Sequence, residues 1–406
     1  MPLPTQRELK DALLEEIASS GGEVTTEEAY DRLADRFDLG TDERRATTKV
    51  GGRSVNTWKR HVRWARQQAK AEGLLATSEP GVWAVDDSNL GVAREGTLWT
   101  VFLTDQGFAL WGDVIRATEA LEDEIIDLCV TSTPYPLLRP KAYGNLDEAS
   151  HVDWLTDVFG ALASKIGEDG SIALNLGDAY LPGRPTLSLW KERLLTRLVD
   201  DVGLHLAGVV YWENPSKLPS PAEWVTVRRE RITLSVEPIY WLSRSPHPKA
   251  NNRRVLKPYS QQMEKRLQEG GETRAQRPSG HAFTDGAFSA DNGGAIPHNL
   301  LVAANTRSAG PYFDRCREAG LPVHPARFPE EVPEFFIKLT TEAGDLVADP
   351  FGGSGTTAAV ASRLGRRWVL IDSALQYLRG AAFRMDSDLG FKAHWPRNLP
   401  EQTSLL

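Results

Sequence analysis

Asp349-Pro350-Phe351-Gly352-Gly353-Ser354-Gly355-Thr356-Thr357 is the stretch whose reading decides the fold. The run Asp345-Leu346-Val347-Ala348 leads into it and predicts a short buried strand. Thr357 to Leu364 predicts a helix, with Gly365 as its C-cap. Trp368-Val369-Leu370-Ile371 predicts a second strand, ending on Asp372. The order is strand, glycine loop, helix, strand, acid. Glycine lets backbone approach a ligand where a Cβ would clash. The first N–H groups of the helix lack intrahelical acceptors and point at that ligand. An acid about 20 residues past the loop, at the tip of the next strand, is placed to accept hydrogen bonds from a ribose diol. These are the marks of a nucleoside-cofactor site. Its place near the C-terminus is unusual for a Rossmann-like unit and requires an explanation.

Working outward, 406 residues predict two domains, or one large domain with an appendage. Hydrophobic residues make up 41% of the chain, enough for a sizeable core. No apolar run reaches the roughly 18 residues of a membrane span, and Met1-Pro2-Leu3-Pro4-Thr5 is unlike a signal peptide. Two cysteines, Cys129 and Cys316, predict a reduced, cytoplasmic protein. The net charge of −8 does not attract nucleic acid, so DNA binding must come from local basic patches.

Residues 1–86 predict a separate small domain. Leu9, Leu13 and Ile17 mark one helix. Thr25 and Glu28 make a capping-box pattern ahead of Ala29, Leu33 and Phe37. A third helix is expected from about Ser54 to Glu72, with apolar stripe Val55, Trp58, Val62, Ala65 and Ala69. Lys59, Arg63, Arg66 and Lys70 form the opposing stripe, with Arg60 beside it, and no acid occurs between Glu43 and Glu72. Leu74-Leu75 and Gly81-Val82-Trp83-Ala84-Val85 predict a two-stranded wing. Three helices and a wing resemble a winged helix-turn-helix, most closely the N-terminal domains of restriction-system proteins. That resemblance implies DNA contact through Lys59, Arg60, Arg63 and Arg66. A dimerisation module, or a bundle with a solvated charged face, is the other reading. A polar link, Asp86 to Gly96, follows.

In the main domain, Leu98 to Ala109 predicts a hairpin and Ile125 to Val130 a buried strand. That strand runs into Thr131-Ser132-Thr133-Pro134-Tyr135-Pro136. The turn resembles the Ser-Pro-Pro-Tyr motif of amino-group DNA methyltransferases. An exocyclic amine is a weak nucleophile because its lone pair is delocalised into the ring, and acceptors at its two protons favour a more tetrahedral nitrogen. The resemblance implies that Ser132 supplies one acceptor and the carbonyl of residue 133 the other, before Pro134. It implies that Tyr135 stacks on a base flipped from the duplex. Thr133 stands where the family usually has proline, which leaves the rigidity of that carbonyl less assured.

Further segments extend the resemblance in order: Lys141 to Asn145, Asn214-Pro215-Ser216-Lys217-Leu218-Pro219-Ser220-Pro221, Arg277 to His281, Asp291 to Pro297, and His324-Pro325-Ala326-Arg327-Phe328-Pro329. Together they are similar to the PvuII-type, beta-class cytosine-N4 DNA methyltransferases over about residues 95–385. The implied fold is α/β, Rossmann-like, with a mostly parallel seven-stranded sheet and circularly permuted motif order, in a methyltransferase domain at 95–390. The permutation accounts for the late glycine loop. The implied cofactor is S-adenosyl-L-methionine. The resemblance puts its methionine end against His324, Pro325 and Phe328, with Phe351 alongside. Asp349, Pro350 and Gly352 to Thr356 form the loop beneath it. Asp372 would hold the ribose and Asp113 would contact the adenine amine. His324 is a wall residue in this reading, not a base, and no metal is expected.

The partner implied is double-stranded DNA, with a homodimer and a cognate restriction endonuclease as further expected partners and no membrane. The target-recognition region is expected at about 182–300, because basic residues dominate from Arg244 to Arg277. Lys217, Arg253, Arg254 and Arg277 are its candidate DNA contacts. Adenine N6 is the alternative acceptor, since some adenine enzymes also carry Ser at the position of Ser132. A non-catalytic DNA-binding regulator is the alternative from another class. A dinucleotide dehydrogenase fits poorly, because the loop lacks Gly-x-Gly-x-x-Gly spacing.

Overall fold

Leu9, Leu13 and Ile17 recur every four residues, and in the computed structural model they line one face of helix α1 (Gln6–Ser19). The structure describes residues 3–20, 23–50, 53–71, 75, 82–84, 98–135, 147–271, 287–305 and 310–395. Strand β1 (Glu23–Thr25) leads into α2 (Thr26–Arg36), where the expected capping box forms: Thr25 accepts from Glu28 N, and Glu28 accepts from Thr25 N. Then come α3 (Thr41–Arg45), β2 (Thr47–Val50), β3 (Arg53–Asn56), α4 (Thr57–Ala71) and β4 (Val82–Ala84). Trp58, Val62, Ala65 and Ala69 of α4 join the α1 and α2 stripes in one core.

Two expectations change here. The third helix starts at Thr57, because residues 53–56 pair with 47–50 as a hairpin. The sequence carried that signal in Gly51-Gly52, a two-residue turn pair between Thr47-Thr48-Lys49-Val50 and Val55. The expected wing strand at 82–84 exists, but its partner is β1, with Val24 opposite Trp83. Leu74, Gly81, Val85 and the link at 86–96 lie outside the described residues.

The main domain runs β5 (Trp99–Thr104), β6 (Gly107–Trp111), α5 (Val114–Glu119), β7 (Ile126–Ser132), α6 (Glu148–Lys165), β8 (Ile166–Asn175), α7 (Trp190–Asp200), β9 (His205–Glu213) and β10 (Val236–Ser243). It continues with α8 (Gln261–Gln268), β11 (Leu300–Val302), α9 (Gly310–Glu318), α10 (Glu331–Thr340), β12 (Leu346–Asp349), α11 (Thr356–Arg363), β13 (Arg367–Asp372), α12 (Leu375–Ala382) and β14 (Lys392–Ala393). The strands form one sheet in the order β11-β9-β10-β8-β7-β12-β13-β6-β5-β14. It has ten strands among the described residues, not the seven expected, because short strands extend both edges. The central run from β8 through β7, β12 and β13 to β6 is parallel; β10 and β5 are antiparallel to their neighbours. Strand β10 is an interior strand between β9 and β8 and antiparallel to both. One face of the sheet packs on α6 and α7, the other on α10, α11 and α12. Among the described residues no helix is long and apolar enough to cross a membrane.

From β7 the chain crosses to β8 on one side, while from β12 it crosses to β13 on the other. The crevice between the C-terminal ends of β7 and β12 is therefore the topological switch point, where open α/β sheets bind ligands.

Helix α4 docks at the opposite edge, where strands β7, β12 and β13 begin. Arg60 forms an ion pair with Asp127 and lies 3.5 Å from Asp345, and Arg66 pairs with Glu122. Asp127 holds the Arg60 guanidinium firmly in its charged form. Trp64, 2% exposed, stacks on Phe108 at 5.8 Å, with the Arg367 guanidinium 4.5 Å over its ring. Burying one such side chain stabilises the contact by about 1.5–3 kcal/mol. Helix α4 is thus covered by its own domain on one side and by the sheet domain on the other.

This corrects the expected DNA-reading stripe. Arg60 and Arg66 are neutralised by acids of the main domain, Lys59 pairs with Glu27 at 2.6 Å, and Arg63 is half-buried between the domains. The window free of acids described only the helix's own neighbours in sequence. The fold supplies Asp127, Asp345 and Glu122 from far along the chain.

Candidate active site at the switch point of the sheet

Three predicted site residues end adjacent strands: Ser132 on β7, Asp349 on β12 and Asp372 on β13. Neighbouring strands lie about 4.8 Å apart, so the three tips form one row. Asp349 is 3% exposed and accepts hydrogen bonds from Thr131 Oγ1 at 2.7 Å and Phe351 N at 3.2 Å. Burial pushes its carboxyl up to about 6. It ties strand β7 to the glycine loop. Asp372 accepts from Gly353 N at 2.8 Å and Ala374 N at 2.7 Å, and burial pushes it also to about 6. A carboxylate has about four lone-pair positions, so two remain for a ligand's hydroxyls.

The loop is fitted to a close ligand. Gly355 has φ 71, and a Cβ there would stand 2.8 Å from Ala381 Cβ. Gly352 N donates to Ile371 O at 2.8 Å, and Ser354 Oγ is 3.0 Å from Thr356 Oγ1 at the start of α11. Pro350 is buried, and Phe351 lies edge-on to Trp154 at 5.8 Å. The His324 ring stands against Gly353 and meets Tyr377 edge-on at 4.5 Å. Pro325 next to it is exposed, and Phe328 is buried among the residues packed on α10. Asp113 caps α5, accepting from Ile115 N and Arg116 N, two residues past Trp111, which pairs with Asp372. Buried and half-buried acceptors beside a positive-φ glycine turn and a helix N-terminus fit a nucleoside bearing a cationic tail.

Beside this row lies a second group. Tyr135 OH is 3.3 Å from Ser132 Oγ, 3.2 Å from Glu237 Oε2 and 3.5 Å from Asn175 Oδ1. Lys217 Nζ donates to Glu237 Oε1 at 2.6 Å. Burial, reinforced by the Glu237 charge, holds the Tyr135 hydroxyl well above its ordinary range, so it stays protonated. The Tyr135 ring packs on Trp190 at 5.9 Å, and a Cβ on Gly177 would come within 2.5 Å of it. His151 Nε2 donates to Pro134 O at 3.0 Å; burial lowers its affinity for a proton, which keeps that ring neutral. Thr133 Oγ1 is buried and has no partner among the described residues. Glu237, Asn175 and His151 were missed by sequence reasoning. The available signal was Glu237 itself, a charge inside the otherwise apolar strand Val236–Ser243.

Strand direction also divides the segment 182–300. Helix α7 and strands β9 and β10 belong to the packed sheet domain, so 182–300 is not one insertion. The excursion 214–235 leaves the end of β9 and returns into β10 next to Asn175, at the edge that carries Ser132. The basic stretch after Ser243 starts at the far edge. There Lys249 pairs with Asp345 at 2.6 Å, and Arg254 binds Thr341 O at 2.7 Å and Glu342 at 2.6 Å. Arg254 is therefore a brace and not a free DNA contact; Arg253 beside it is exposed. Lys217 lies at the edge that carries Ser132. Pro136, Lys141 to Asn145 and Arg277 to His281 lie outside the described residues.

A family model described as DNA methylase matches residues 126–383, spanning both β7 and the glycine loop. The chain belongs to that DNA methylase family. A second model, the Mrr N-terminal domain, matches residues 7–95 of this methylase. It is 43% identical over 285 residues to the type II methyltransferase M.PvuII of Proteus hauseri, covering 70% of this chain and 84% of the relative. It is 30% identical over 186 residues to M.SfiI of Streptomyces fimbriatus, covering 40% and 43%. The solved structure titled PvuII DNA methyltransferase (cytosine-N4-specific) superposes with a TM-score of 0.57 at 37% identity, covering 70% of this chain and 87% of that one.

Proposed function

We propose that this methylase transfers a methyl group from S-adenosylmethionine to the N4 amine of a cytosine flipped out of a specific duplex site, and that it protects that site in a restriction system. The observation that carries the reading is the row of Ser132, Asp349 and Asp372 at the switch point, in a chain whose relative is titled cytosine-N4-specific. Asp372 and the glycine loop hold the nucleoside, and His324, Pro325 and Phe328 wall the methionine end. When bound, the cofactor supplies an electrophilic methyl on a sulfonium. Ser132 Oγ and the carbonyl of Thr133 accept the two amine hydrogens and pull the nitrogen lone pair out of conjugation. Tyr135 closes the base pocket.

The excursion 214–235 is the recognition surface in this reading. It exposes Leu218, Val227 and Ile232, at 79%, 69% and 78%, together with Arg228 and Arg229. Apolar side chains left in water beside cations fit a surface completed by DNA. The N-terminal domain braces the opposite edge and is not the reader.

The test is methylation of duplex DNA in vitro followed by nucleoside mass spectrometry. N4-methylcytosine is expected, and Ser132→Ala should slow its formation by about a hundredfold or more. N6-methyladenine as the sole product would overturn the cytosine assignment, and an unimpaired Ser132→Ala would overturn the site.

A further inference from the structure

Glu237 is a carboxylate in the interior strand β10, 8% exposed, at the floor of the site but outside every motif. It faces two titratable groups: Lys217 from the 214–235 excursion and Tyr135 from the turn after β7. The neighbouring strands offer it only neutral residues, Asn175 on β8 and Trp212 opposite on β9, since Glu213 alternates to the other face of the sheet. Resting on the assignment of Ser132 as amine acceptor, we propose that Glu237 is a positioning residue that sets the direction of the Ser132–Tyr135 hydrogen-bond chain and receives the proton released by methylation.

The argument is one of donor counting. A tyrosine hydroxyl has one hydrogen, and a serine hydroxyl has one. Carboxylate is the strongest acceptor within reach of Tyr135, at 3.2 Å against 3.5 Å for Asn175 Oδ1. The Asn175 amide is itself oriented by its Nδ2 donating to Pro238 O at 3.3 Å. With the Tyr135 hydrogen committed to Glu237, the tyrosine oxygen is free to accept from Ser132 Oγ at 3.3 Å. The serine hydrogen then points inward and its lone pairs point at the substrate. Without Glu237, Ser132 can turn its hydrogen toward the amine and cease to be an acceptor. Lys217 donates to the other carboxylate oxygen of Glu237 and so links the excursion to the motif.

The same chain disposes of a proton. Methylated N4 carries a positive charge; its N–H bond breaks and the proton passes to Ser132 Oγ. Ser132's proton passes to Tyr135, and Tyr135's to Glu237. The amine and Glu237 both end neutral, and Ser132 and Tyr135 are restored.

The experiment is single-turnover methyl transfer by the full chain, with S-adenosylmethionine held saturating at every pH so that its binding does not shape the profile, measured between about pH 5 and about pH 9. Wild type should lose rate on the acid side, because the chain needs an empty acceptor at its end. Glu237→Gln keeps the shape but cannot take a proton, and should be about a hundredfold slower with the acid limb gone. Tyr135→Phe, which interrupts the chain but keeps the ring, should behave alike, and the double variant should be no slower than either single one. An acid limb retained by a folded Glu237→Gln, or losses that multiply in the double variant, would overturn the proposal. If Glu237→Gln does not fold, Tyr135→Phe decides: a retained acid limb overturns it. Ser132→Ala separates the two levels. Wild-type rate there defeats the site assignment, whereas loss there with an unaffected Glu237→Gln defeats only the proton chain.

Discussion

Replacing Arg60 by Leu separates a helix that braces the sheet from one that reads DNA. Arg60 is 16% exposed, Asp127 4% and Asp345 8%. The two acids do not lose equally. Asp345 keeps Lys249 at 2.6 Å, whereas Asp127 keeps only the Leu346 N–H at 2.7 Å. The cost therefore concentrates on Asp127, a buried carboxylate left without a hydrogen-bonded cation and with Lys249 and Arg367 acting on it only through space, and removing one partner of such a pair costs about 3–5 kcal/mol. The sign with pH follows. Without Arg60, the folded-state pKa of Asp127 stands above its unfolded value, so its neutral form favours folding. The deficit should be largest near neutral pH and shrink as the solution is acidified. Urea titration followed by tryptophan fluorescence reads this directly, since Trp64 lies in the contact. Adding Asp127→Asn should recover most of the loss, because it removes the stranded charge. DNA affinity at temperatures where the variant is folded should stay close to wild type. Wild-type stability combined with weakened, less salt-dependent DNA binding would refute the reasoning and return α4 to the role of reader.

Asp372→Asn should weaken S-adenosylmethionine binding by about tenfold or more, the scale of losing hydrogen bonds to a charged acceptor. Asp349 and Asp372 titrate near 6, raised by burial, so wild-type affinity measured by calorimetry should fall as pH drops through that value; part of the fall should vanish in Asp372→Asn. For the same reason the ligand-free fold gains stability as pH falls through 6, and affinity and stability should move in opposite directions. Gly177→Ala places a methyl 2.5 Å from the Tyr135 ring, an overpacking that costs about 1–3 kcal/mol. It should slow transfer far more than it weakens cofactor binding; rates equal to wild type would show that the ring's position is unimportant.

Much of the site was legible because it is local. Glycines followed by a helix, and an acid at a strand tip, are patterns that chain geometry interprets; the Ser-Thr-Pro-Tyr turn after an apolar strand is read through its resemblance to a methyltransferase motif. The capping box at Thr25 and Glu28 formed for the same reason. The hairpin at 47–56 was equally local and was overlooked.

What the amino-acid sequence determined by itself was which segments are strands and helices, and which polar groups end at strand tips, because periodicity and turn chemistry act within a few residues. Only the tertiary structure decided which edge of the sheet each connection reaches and which charge meets which. Arg60 and Arg66 looked like a free basic stripe until Asp127, Asp345 and Glu122 were brought against them, and the basic run after Ser243 proved to start at the far edge. Glu237 acquired a role only when β10 was laid beside β8. Strand direction and the pairing of buried charges are non-local, set by where apolar faces must pack. No window of sequence around those residues contains that information.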